Sequence, residues 1–110
     1  MIRLLVVAPA AVVSASLRFL LEAESYSVTT AASLAEAEAI PGRFACTVLD
    51  HRVLSGGDGP AALAFVNSHR PVVLLADDLS GALSAHSFRT LTKPLLGAAL
   101  SAAVHDAIGT

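Results

Sequence analysis

The sequence predicts an α/β fold, a doubly wound five-stranded parallel sheet with helices on both faces, over a single domain spanning residues 1–110. Two observations carry this expectation. Apolar, β-branched-rich runs alternate with helical patterns five times along the chain. The connections between them are short, as βαβ crossovers require. A third observation is permissive: 55% of the residues are hydrophobic, enough for a sheet covered on both sides.

The first run, residues 2–8 (IRLLVVA), reads as a strand buried on both faces. Val13, Leu17, Leu20 and Leu21 then share one helical face, with Arg18, Glu22 and Glu24 off it. Tyr26 to Ala31 reads as a short second strand. Ser33 followed by Glu36 marks a helix start through the capping-box pattern, and Pro41-Gly42 ends that helix. Phe44 to Leu49 is a third strand that stops at Asp50.

The stretch HRVLSGGDG has loop chemistry, and Pro60 suits the first turn of a helix running through Asn67. Val72 to Ala76 is the fourth strand. A short helix weakened by Gly81 is expected within 77–87, and Phe88 to Leu91 is a short fifth strand. Leu96, Leu100, Val104 and Ile108 recur every fourth residue and mark a last helix packed on the sheet.

Composition excludes several function classes. Only 15% of residues are charged, the net charge is −2, and six arginines and one lysine are scattered without a basic run. That distribution gives no pull on nucleic acid or an anionic membrane. No apolar run is long enough to span a bilayer. The N-terminal segment imitates a signal peptide, but Pro9 breaks it and an amphipathic helix follows directly, so we read it as part of the fold. A lone cysteine, Cys46, forms no internal disulfide and lies in an apolar run; we read it as a core residue of a cytoplasmic protein.

Enzyme motifs are missing. The turn after the first strand, Pro9-Ala10-Ala11, lacks the glycines of a dinucleotide-binding loop, and no P-loop or nucleophile-elbow sequence occurs. His51, His69, His86 and His105 lack metal-ligand spacing and read as surface or cap residues. The chain is therefore expected not to be an enzyme. In an open parallel sheet, function gathers beyond the carboxyl ends of the strands. Asp50 stands at one such end, and Lys93, the only lysine, follows another and precedes Pro94. A carboxylate and an ammonium so placed are expected to pair across the top of the sheet.

These residues resemble the receiver (CheY-like) domain family of two-component signalling. The resemblance rests on LLVVA, TVLDHR around Asp50, the GDG before the third helix, PVVLLA and LTKPL. It covers almost the whole chain, and LTKPL is similar to receivers fused to hybrid histidine kinases. The resemblance implies a flavodoxin-like (βα)5 architecture, with Asp50 at the phosphoacceptor position and Lys93 at the phosphate-contacting position. It also implies a cis bond between Lys93 and Pro94.

The departures bear on function. Where the family carries an acidic pair that holds Mg2+, this chain has Ala8 and Pro9; the Thr or Ser ending the fourth strand is Ala76; the switch aromatic is Thr90. The loop after Asp50 is one residue longer than the family pattern, with Val53-Leu54 in place of Met-Pro. The expectation is a degenerate receiver with weak or absent Mg2+ binding and impaired phosphorylation. It would act as a regulatory interaction module for a histidine kinase or phosphotransferase, using the surface of the last strand and the last two helices. Homodimerisation is left open. The alternatives are a working receiver phosphorylated on Asp50, and a pseudo-receiver binding a nucleotide second messenger through Arg52, Arg70 or Arg89.

Overall fold

The computed structural model describes residues 1–54, 60–76, 87–92 and 97–109. Five strands, β1 (Arg3–Val7), β2 (Ser27–Ala31), β3 (Cys46–Asp50), β4 (Val72–Ala76) and β5 (Arg89–Thr92), form one sheet in the order β2-β1-β3-β4-β5. Every neighbouring pair is parallel. Helices α1 (Ala11–Glu22), α2 (Leu34–Glu38), α3 (Pro60–Ser68) and α4 (Gly97–Ile108) connect or follow them. The doubly wound parallel sheet expected from the alternation is the observed architecture.

Strand periodicity sorts side chains onto two cores. Leu4, Val6, Cys46, Val48, Val73 and Leu75 face a core shared with Leu17 and Leu21 of α1 and with Leu100, Ala103, Val104 and Ala107 of α4. Leu5, Val7, Leu49, Val72, Leu74 and Ala76 face the other, closed by Ala37 of α2 and by Ala62, Phe65 and Val66 of α3. Both faces are dry, which explains why β1, β3 and β4 read as continuous apolar runs rather than alternating ones.

Element boundaries shift for identifiable reasons. Tyr26 and Phe44 precede their strands; Phe44 is held outside the sheet under the Arg3 guanidinium, 4.6 Å from the ring centroid. Ser33 caps α2 as its sequence indicates, its Oγ accepting from the Glu36 N–H at 3.1 Å. α2 is short, and Gly42 supplies a left-handed residue (φ 96°) in the turn to β3. The stretch after Asp50 is not plain loop throughout: residues His51–Val53 form a turn of 3-10 helix.

α1 departs from its expected face. Leu17 and Leu21 are buried, whereas Leu20 is 37% exposed. Leu20 lies instead beside α4, where a Cβ on Gly97 would meet its Cδ2 at 3.4 Å. The region expected to hold a helix within 77–87 and the Leu96 position of the last helix lie outside the described residues, apart from Ser87. No helix among the described residues is long and apolar enough to cross a membrane.

Cys46 is fully buried in the first core. Desolvation pushes its thiol from the ordinary 9.0 up to about 12, against smaller opposing effects from backbone hydrogen bonds with Val73 and Thr47. A raised value means that the folded state holds the proton longer than the unfolded chain does. The contribution is therefore intact below pH 9 and is lost as pH rises toward 12. Replacing Cys46 by Ala should remove an alkaline component of the denaturation profile, steepest at about 1.4 kcal/mol per pH unit. Urea titrations from neutral pH to pH 10 check this; identical pH profiles for the two proteins would refute it.

Candidate functional site

The register of the central strands sets the site. Val7 pairs with Leu49, Asp50 with Leu75, and Leu75 with Leu91. The residues at the carboxyl ends, Ala8, Asp50, Ala76 and Thr92, are thereby brought to one edge of the sheet. Ala8 continues the β1 ladder, its amide donating to the Ala31 carbonyl at 3.0 Å, and its methyl group is buried. Pro9 is exposed and opens the turn into α1. The N-cap of α1 is Ala10, which offers no side-chain acceptor, and the first turn carries no acid.

Asp50 is 2% exposed and, with Thr47, makes up the buried polar or charged residues described. Its Oδ1 accepts the Arg52 backbone N–H at 3.0 Å, capping the 3-10 turn that leads away from β3. Half-buried His51 stands beside it, with Nδ1 3.7 Å from Asp50 Oδ1 and 3.2 Å from the Leu75 carbonyl oxygen. A carbonyl only accepts, so Nδ1 carries the proton and donates to Leu75.

Ala76 is buried at the end of β4, opposite Thr92. Thr90 shares its face with Leu74 through the β4–β5 register, and its Oγ1 is buried without a hydrogen-bond partner among the described residues. The structure thus places Asp50, Ala8, Pro9 and Ala76 around one strand-end edge, with Thr90 two residues lower on β5. Lys93 and Pro94 lie outside the described residues, and with them the expected ion pair to Asp50 and the expected cis bond.

The sequence reads His51 as a surface or cap residue and does not assign it to the site. Its position directly after the strand-end acid was visible, but its bond to Leu75 depends on β3–β4 pairing. Among the described residues no group of three or more His, Cys, Asp or Glu is arranged to hold a metal ion. Of the arginines considered for an anion, Arg89 is joined to Asp106 of α4 at 3.0 Å and Arg70 donates to Asn67 at 3.0 Å.

No family model matches the sequence, and no curated protein does so either. Solved structures match closely in shape. A Thermotoga maritima response regulator, TrrA, in complex with Mg2+–BeF has a TM-score of 0.82 at 21% identity, covering 96% of this chain and 98% of that one. The receiver domain of a Pseudomonas aeruginosa sensor histidine kinase, with a magnesium ion coordinated in its active-site cleft, has a TM-score of 0.80 at 21% identity and 98% coverage of both chains. The fold is that of a CheY-like receiver domain. A Rhodopirellula baltica structure described as an adenylate cyclase is similar too, with a TM-score of 0.81 and 26% identity over 97% of this chain and 87% of that one. At these identities the likeness speaks for the receiver fold, and function rests on the residues at the strand ends.

The Asp50–Arg52 bond yields a direct test. Asp50→Asn keeps an Oδ1 acceptor, whereas Asp50→Ala removes it. Hydrogen exchange at the Arg52 amide should accelerate roughly tenfold in Asp50→Ala and far less in Asp50→Asn, as expected for losing about 1.5 kcal/mol of hydrogen bonding. Equal exchange in all three proteins would show that the carboxylate does not hold the turn.

Proposed function

We propose that this receiver-fold chain is a degenerate member of two-component or phosphorelay signalling, a regulatory protein-interaction module rather than an enzyme. It would work in the cytoplasm and dock a signalling protein such as a histidine kinase or phosphotransferase. The observation that carries the reading is the end of β1, where Val7 pairs with Leu49, the residue before Asp50, and the chain continues into a buried Ala8 and an exposed Pro9. Mg2+ needs near-octahedral oxygen coordination, and it is bound through one or two carboxylates, retained waters and phosphate oxygens. Neither Ala8 nor Pro9 offers a side-chain oxygen. Asp50 Oδ1 already accepts an N–H, and the His51 Nδ1 facing it is a donor. This donor set argues for weak or absent Mg2+ binding.

Phosphoryl transfer to a carboxylate depends on neutralising and positioning the transferring group. Losing one such stabilising group typically slows a reaction about a hundredfold, although several losses need not add. Ala76 compounds the loss, because its methyl group offers the phosphoryl oxygens no hydroxyl. The docking surface we favour is formed by β5 and α4, tied together by the exposed Arg89–Asp106 pair. A second reading, a receiver still phosphorylated on Asp50, is favoured by the retention of a buried acid at the end of β3.

Incubation with acetyl phosphate and Mg2+, followed by intact-mass measurement, separates the two. The degenerate module should stay unmodified on the time scale in which a Mg2+-binding receiver is converted, with a rate lower by at least roughly a hundredfold. Prompt stoichiometric phosphorylation that disappears in Asp50→Asn would establish the second reading instead.

A further inference from the structure

The opposite end of the sheet carries a feature that the strand-end site does not use. At the amino ends of β3 and β4, between α2 and α3, lies a cavity of about 390 Å3, within the range of small-molecule pockets. Its polar wall carries two cations, Arg43 and Arg70, beside Thr47, Ser68 and His69, with no carboxylate among the described lining residues. Arg3 adds a further guanidinium, since a Cβ on the lining residue Gly42 would collide with Arg3 Nη1. Three of the six arginines in a chain of net charge −2 thus gather at one place.

Capping of helix ends does not account for this cluster. The last carbonyls of α3 are served by neutral donors: Ser68 Oγ donates to the Ala64 oxygen at 2.9 Å, and His69 Nδ1 to the Phe65 oxygen at 3.0 Å. At α2 the backbone N–H groups of Ala39 and Ile40 fold back on the Ala35 and Ala37 carbonyls. Arg70 spends a single bond, on Asn67, and Arg43 makes no hydrogen bond or ion pair among the described residues. The donors of two guanidiniums are therefore left for an oxyanion, which their fork geometry fits.

The remainder of the wall is suited to the body of a ligand. Ile40 and Phe44 supply apolar surface, and Thr47, otherwise buried, borders the cavity from β3. The imidazole of His69 is held in place by stacking on Phe65, with centroids 3.9 Å apart and planes 17° from parallel. We infer that this cavity binds a phosphate monoester carrying an apolar or planar body, with Arg43 and Arg70 as the anion clamp. The site is separate from Asp50 and does not depend on whether Asp50 is phosphorylated.

Amide chemical-shift titrations of the whole chain test this with AMP, inorganic phosphate and adenosine as probes. AMP should give saturable shifts at residues 42–47 and 68–70, inorganic phosphate the same pattern more weakly, and adenosine none. Arg43→Ala combined with Arg70→Ala, both at exposed positions, should weaken AMP binding by at least about tenfold while leaving the remaining spectrum in place. The inference fails if AMP gives no saturable shifts at millimolar concentration, if the shifts centre on Asp50, or if the double variant binds equally well. It also fails if inorganic phosphate binds as tightly as AMP, because the apolar wall would then contribute nothing.

Discussion

Parallel pairing of β1, β3 and β4, with both faces buried, is the constraint from which the site follows. Leu4 and Val6 belong to one core and Leu5 and Val7 to the other, so the apolar residues of these strands are committed to one face or the other. A slip of one position would exchange the two cores side chain by side chain. Each buried leucine or valine is worth about 1.5–3 kcal/mol, so the register is held far more strongly than any strand-end contact. Asp50 is thereby carried into a desolvated position that an isolated carboxylate would avoid.

The local chemistry then makes that burial tolerable. The Arg52 amide donates to Asp50 Oδ1, and the His51 ring stands nearby with Nδ1 3.7 Å away. The 3-10 turn after β3 is therefore a consequence of the acid as well as its frame. At the neighbouring strand ends the side chains are methyl groups and a proline ring. These fill space but carry no charge, so Asp50 meets no carboxylate repulsion from Ala8 or Pro9. Side chains without oxygen at these positions thus spare Asp50 the like-charge cost that a set of adjacent carboxylates incurs without metal.

Much of this was legible from residues alone. The apolar runs placed β1, β3 and β4 within a residue or two because strands buried on both faces leave a continuous signal, and Ser33-Glu36 located the start of α2. Asp50, Ala8, Pro9 and Ala76 could be assigned to strand ends for the same reason. Leu20 departs from the helical reading because periodicity does not reveal that α4, distant in sequence, lies beside it, leaving Leu20 37% exposed. The His51 bond to Leu75 and the cationic cavity were invisible for a related reason: each joins groups from segments that only the tertiary fold brings together. The β2 and β3 starts were overestimated because Tyr26 and Phe44 have strand propensity but pack at the rim.

The central claim is that the strand-end pocket lacks the oxygens to hold a divalent cation, and a Mg2+ titration followed through the amides of residues 50–52 tests it most directly. The account predicts no saturable shift for the natural sequence up to millimolar Mg2+, and a gain of saturable binding when Pro9→Asp restores one carboxylate beside Asp50. Tight, saturable Mg2+ binding by the natural sequence, centred on Asp50, would contradict it.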